Sequence, residues 1–183
     1  MTNRIHISLE GGPVADGWSV SSLSHFTLAV RNLERSIEFY EKVGFQMIDD
    51  RRDAIWPPSV AENFGMRVAS GRGVLMAINP DGVHTRLDLI EWLEPKLPEA
   101  SAPVEERVPQ LIALLTVNAA AAARDLARRG VEFIVVRDDD EHKRIGIKAV
   151  ALCRDPDDNL LELIEYMPGL RNSRPNEVLP RRA

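Results

Sequence analysis

Leu87-Asp88-Leu89-Ile90-Glu91-Trp92 and Leu161-Glu162-Leu163-Ile164-Glu165-Tyr166 match by identity or close similarity at every position. Each reads as a strand. The side chains of a strand alternate between its faces, so the two carboxylates of each hexapeptide, three residues apart, point to opposite sides. Upstream of the first hexapeptide, Leu23 to Val30 alternates, with His25, Thr27 and Ala29 on one face and Phe26, Leu28 and Val30 on the other. Asn32 then suits a helix N-cap, Leu33, Ile37, Tyr40 and Val43 form a helical stripe, and Gly44 falls where a terminating glycine belongs. Upstream of the second, Gln110 to Val117 reads as a strand, Asn118 caps an alanine-rich helix and Gly130 ends it. Laying Val30 on Val117 brings Gly44 within one residue of Gly130 and sets His25 opposite Ile112. Phe45–Asp50 and Val74–Asn79 supply further strands in the first half, and Glu132–Val136 and Ala149–Arg154 do so in the second. Strand, helix, strand, strand, strand occurs twice, the mark of a duplicated βαβββ unit. Residues 1–22 form an N-terminal extension, 23–95 the first module, 96–108 a linker within a proline-rich stretch, 109–167 the second module and 168–183 a basic tail.

Composition narrows the classes. Of 183 residues, 44% are hydrophobic and 28% charged, a globular balance with enough chain for a sizeable core. The single cysteine, Cys153, excludes an intrachain disulfide and a multi-thiolate zinc site; its place in a strand reads as packing. Net charge is −5, but the tail carries four arginines against Glu177, so the body is more acidic still, which argues against a nucleic-acid surface. The first residues lack the apolar run of an export signal, and the longest uncharged stretch, Val108–Ala123, is too short and polar to span a bilayer. The expectation is a cytoplasmic protein with neither membrane nor nucleic-acid partners.

The chain resembles the vicinal oxygen chelate superfamily, which includes glyoxalase I, methylmalonyl-CoA epimerase, extradiol dioxygenases and bleomycin- and fosfomycin-resistance proteins. The resemblance is carried by His25-Phe-Thr-Leu-Ala-Val with Asn32-Leu-Glu-Arg-Ser-Ile-Glu-Phe-Tyr, and by Arg154-Asp-Pro-Asp-Asp-Asn-Leu-Leu-Glu-Leu-Ile-Glu. It implies an α+β fold in which two tandem βαβββ modules form a curved mixed sheet around a cup-shaped site, and a homodimer. Metal-using members place ligands at four inward positions. Carried onto this chain these are His25, Asp88, Ile112 and Glu162, with Glu91 as the alternative to Asp88. Isoleucine cannot ligate, so His25, Asp88 and Glu162 are the expected metal ligands, for Mn, Fe, Co, Ni or Zn, with Gln110 as a substitute donor. Asp88 and Glu162 are also the expected catalytic carboxylates.

A neutral imidazole and two carboxylates suit a divalent ion with open positions, which would stabilise an enediolate-like charge on a substrate with vicinal oxygens. The expected function is therefore a metal-assisted lyase, isomerase or epimerase. The alternative is a metal-free small-molecule-binding protein of the bleomycin-resistance kind, with a ring-cleaving dioxygenase a weaker third. Each site residue also has an ordinary reading: His25 as a satisfied core histidine, Asp88 on an exposed strand face, and Glu162 paired with Arg67, Arg72 or Arg86. Trp56, Phe64 and Met66, in the long first-module loop, read as a lid or as plain anchoring, and His84 and His142 lie in loops. Asp138-Asp139-Asp140-Glu141 reads as a solvated loop.

Overall fold

The computed structural model describes residues 23–54, 56–57, 60, 63–66, 69–79, 86–101 and 111–168. The N-terminal extension, the tail beyond residue 168, His84, Gln110 and Arg67 lie outside them. The first module comprises β1 (His25–Val30), α1 (Leu33–Val43), β2 (Gln46–Arg51), β3 (Ser70–Ala77) and β4 (Arg86–Glu94). The second comprises β5 (Leu111–Leu115), α2 (Ala119–Arg128), β6 (Phe133–Arg137), α3 (Asp140–Arg144), β7 (Ile147–Arg154) and β8 (Leu160–Tyr166). Two differences from the sequence reading stand out. Strand β3 begins at Ser70, because Gly71 and Gly73 are strand residues rather than loop. The acidic run opens α3, with Asp139 as N-cap accepting from the His142 amide at 3.0 Å.

The strands form two four-stranded mixed sheets, ordered β1-β4-β3-β2 and β5-β8-β7-β6, with the first and last strand of each module parallel neighbours. Parallel neighbours need a long crossover, and the helix and two intervening strands supply it. Local signals start and stop the helices. The Asn32 side chain accepts from the Arg35 amide at 2.8 Å and that of Asn118 from Ala121 at 2.9 Å. Gly44 closes α1 at φ +113°, a left-handed conformation in which its amide reaches back to Tyr40 and Glu41.

Leu33, Ile37 and Tyr40 of α1 and Ala119, Ala123 and Leu126 of α2 join Leu87 and Leu89 of β4 and Leu161 and Leu163 of β8 in one continuous core. Both modules contribute to it, at roughly 1.5–3 kcal/mol per fully buried large side chain. Cys153 packs there, its thiol pushed up to about 11 by burial. A polar latch adds to this core. Asp157, in the β7–β8 turn, accepts from the Arg31 amide at 3.0 Å, from Arg31 Nη1 at 3.1 Å and from Ser36 Oγ at 3.0 Å. Asp155 accepts from the Tyr40 hydroxyl at 2.8 Å. The turn of the second module thus grips the helix of the first.

Candidate functional site

The two carboxylates of each hexapeptide have separate fates. Glu91, on the core side of β4, accepts from the Leu33 amide at 3.3 Å and from Arg72 Nη2 at 2.6 Å, which ties it to the start of α1. Glu165 does the same for α2, accepting from the Ala119 amide at 3.2 Å and from Lys148 Nζ at 2.6 Å. A carboxylate suits the positive end of a helix, and each is anchored by a cation. Glu91 therefore does not face the cup, and Asp88 does.

Alternation places Arg86, Asp88, Ile90 and Trp92 on the cup face of β4, opposite the buried Leu87 and Leu89. Parallel register sets His25 beside Arg86 and Thr27 beside Asp88. Thr27 Oγ1 donates to Asp88 Oδ2 at 3.2 Å. Burial raises the Asp88 pKa, against the lowering influence of the Thr27 hydrogen bond and of nearby His25 and Arg51. Arg86 donates from Nη2 to Ser24 Oγ at 2.8 Å and from Nε to the Ser24 carbonyl at 3.4 Å, and Ser24 Oγ lies 3.3 Å from His25 Nδ1. These groups line a cavity of about 300 Å³ together with Trp56, Leu75 and the ion pair of Asp49 with Arg51.

Trp56 is set down on the sheet. Its amide donates to the Gly71 carbonyl at 3.0 Å. A Cβ on Gly73 would stand 2.6 Å from the Leu89 carbonyl oxygen and 3.0 Å from the Trp56 ring, so only glycine leaves room for the indole. Trp92 packs edge-on against Trp56 and Phe64, with centroids 5.9 and 5.2 Å away. The aromatic residues of the long loop are therefore cup wall and anchor together.

The second sheet has a different cup face. Leu111, Ala113 and Leu115 of β5 share it with Leu160, Glu162 and Ile164 of β8, and Leu111 is 48% exposed. Burial raises the Glu162 pKa, and His142 opposes the shift. Among the described residues Glu162 has no hydrogen-bond partner. Of the three arginines weighed for it from sequence, Arg67 lies outside the described residues and the other two are held elsewhere: Arg72 by Glu34 and Glu91, and Arg86 by Ser24. His142, reached from α3, is held through Nδ1 by Asp139 Oδ1 at 2.8 Å.

One sequence expectation needs correction. Thr27 pairs with Asp88 as Ala113 pairs with Glu162, so the repeat is in phase when Asn32 lies on Asn118 and Gly44 on Gly130. His25 then matches Leu111, not Ile112. A one-residue slip sends a strand side chain to the other face, and Ile112 packs against the core. The matching position is apolar either way.

The expected metal ligands do not gather in one place. His25 and Asp88 line the first cup with Asp49, which Arg51 holds; Leu111 has no donor atom, and Glu162 belongs to the other sheet's face. Among the described residues no three His, Cys, Asp or Glu side chains gather as an ion would need. Metal sites built by protein draw on three or more donors, so the described residues of one chain's cup do not by themselves fit a resident ion. Arg86 was not read from sequence as a cup residue, although its place two residues before Asp88 assigns it to that face. The seat of Trp56 depends on contacts across fifteen or more residues of chain, and no local pattern announced it.

Two βαβββ units, each presenting a sheet face with a carboxylate at the matched position, define a paired-module α+β fold. The chain belongs to the Glyoxalase/Bleomycin resistance protein/Dioxygenase superfamily, whose family model matches residues 22–163. Solved structures share the fold. A glyoxalase family protein from Bacillus cereus is 17% identical over 84% of this chain and 99% of its own, with a TM-score of 0.63. TnmS3 from Streptomyces sp. CB03234, described as an antibiotic-binding protein, is 24% identical over 82% and 99%, with a TM-score of 0.55. The trypanothione-dependent glyoxalase I of Leishmania major is 18% identical over 79% and 86%, with a TM-score of 0.54. No curated protein matches. Among the described residues no helix is long and apolar enough to cross a membrane.

Proposed function

We propose that the protein binds a small organic molecule in the first-module cup without needing a resident metal; TnmS3, which shares the fold, is an antibiotic-binding protein. The supporting observation is the cup's wall: Trp56 seated on Gly71 and Gly73 above His25, Arg86 and Asp88, with the other carboxylate of the lining, Asp49, taken up by Arg51. A concave site with one apolar wall and a few convergent polar groups suits ligand capture. The apolar cup face of the second sheet is covered by a second copy of the chain, giving a homodimer. The test is elemental analysis of protein purified without chelator, alongside titration with small aromatic ligands followed by tryptophan fluorescence. Metal-free protein whose emission responds to such ligands supports the proposal. Near-stoichiometric Mn, Fe, Co, Ni or Zn lost in both His25→Ala and Glu162→Ala refutes it.

That second result would favour the metal-assisted lyase, isomerase or epimerase. One observation speaks for this second reading. Asp88 and Glu162 occupy repeat-matched positions, and burial raises both pKa values. A dimer that brought the second cup face of one copy to the first cup of the other would add Glu162 to His25 and Asp88.

A further inference from the structure

Arg86 is the least explained residue of the first cup. The paired fold does not depend on an arginine there: the repeat lays Asp88 on Glu162 and therefore Arg86 on Leu160, and the second sheet pairs with leucine at that position. Other arginines near the cup are spent on carboxylates, Arg51 on Asp49 and Arg72 on Glu34 and Glu91. Arg86 instead gives two of its five N–H donors to Ser24, and among the described residues it has no carboxylate partner. Those contacts to Ser24 hold the guanidinium, and among the described residues its remaining donors are unclaimed. A guanidinium held in this way is pre-organised for a planar anion, which it takes through parallel hydrogen bonds.

The rest of the cavity restricts what carries that anion. Trp56 offers an aromatic wall, and about 300 Å³ holds a molecule of one or two rings. Asp88 lies two residues along the same face, roughly 7 Å from Arg86 by strand rise. It would repel a second anionic group and accept from a donor such as a hydroxyl.

We propose that the first cup recognises a small aromatic carboxylate. In this arrangement the Arg86 guanidinium meets the carboxylate, the Trp56 indole meets the ring, and Asp88 accepts from a hydroxyl or amino donor on the ligand. This rests on the reading of the cup as an organic-ligand site. It is tested by titrating the full chain with salicylate, benzamide and benzamidine, following backbone amide and tryptophan indole NMR signals. The same titrations are run on Arg86→Leu, which installs the residue found at the matching repeat position.

Salicylate should shift the Trp56 indole and the Thr27 and Asp88 amides, while benzamide and benzamidine bind more weakly. Arg86→Leu, with its spectrum otherwise intact, should weaken salicylate by about tenfold or more, the scale of one lost charge-assisted hydrogen bond. Equal binding of benzamide or benzamidine, or indifference of salicylate to Arg86→Leu, overturns the assignment of Arg86 and leaves the organic-ligand site standing. No response to any of the three overturns the inference. If Mn²⁺ or Zn²⁺ then perturbs those same signals, the organic-ligand reading falls with it.

Discussion

Replacing Asp157 by alanine removes the centre of the latch between the modules. Asp157 is 5% exposed and Ser36 fully buried, so water cannot replace the lost acceptors. The Ser36 hydroxyl and the Arg31 amide lose their partner, and the Arg31 guanidinium keeps only the Pro98 carbonyl at 2.7 Å and Ser101 Oγ at 2.8 Å. Removing one partner of a buried ion pair typically costs about 3–5 kcal/mol. The contacts retained by Arg31 place the expected loss near the lower end, about 3 kcal/mol. At roughly 2–4 °C per kcal/mol for a chain of this size, that is a fall of about 6–12 °C in Tm. Asp157→Asn keeps a carbonyl for Arg31 and can donate to Ser36 Oγ, so it should lose only about 1–2 kcal/mol. Urea unfolding of both variants, with Ser36→Ala and the Asp157→Ala/Ser36→Ala double variant, measures the coupling directly. Unchanged midpoints for both Asp157 variants, or strict additivity with Ser36→Ala, would refute the latch.

Two further predictions concern the cups. Gly73→Ala places a methyl group against the Leu89 carbonyl and the Trp56 ring, and should cost about 1–3 kcal/mol while changing tryptophan emission; unchanged emission would mean that Trp56 does not rest there. Asp88 and Glu162 have pKa values raised in the folded state, so between the ordinary carboxylate range and those raised values the folded form holds more protons than the unfolded one. Stability therefore falls as pH rises through that window. Asp88→Asn and Glu162→Gln should each flatten the fall and raise Tm at neutral pH, measured by thermal melts across the range. A Glu162→Gln variant less stable at neutral pH would identify that carboxylate as half of a structural pair.

The fold was legible because its signals are local and repeated. Asn32 and Asn118 cap, Gly44 and Gly130 terminate, and the two hexapeptides end their modules in the same register. The site was legible only where alternation reaches. His25 and Asp88 share the first cup because strand period and parallel register set them there, and Glu162 falls on the matching face of the other sheet for the same reason. Matching single valines, however, put Ile112 where Leu111 stands, since hydrophobic alternation on a short apolar strand tolerates a one-residue slip that the ladder does not. Trp56, Arg86 and the latch depend on partners far along the chain: Ser24 for Arg86, the glycines of β3 for Trp56, and α1 for Asp155 and Asp157. No periodicity encodes such partners. The turn Asp155-Pro156-Asp157-Asp158-Asn159 reads in isolation as a simple reversal of chain direction.

That turn also bears on the history of the duplicated halves. Each module keeps its own strand order, its own asparagine cap and its own glutamate at the helix entrance, which is all that an autonomous unit would inherit. Yet the first half now carries Ser36 and Tyr40, hydroxyls sealed in the interior that only carboxylates of the second half satisfy. Expressed apart, the first half would expose both to solvent along with the apolar stripe beside them. A chimera exchanging one half for that of a relative would leave these hydroxyls unsatisfied unless it carries the turn and the helix together.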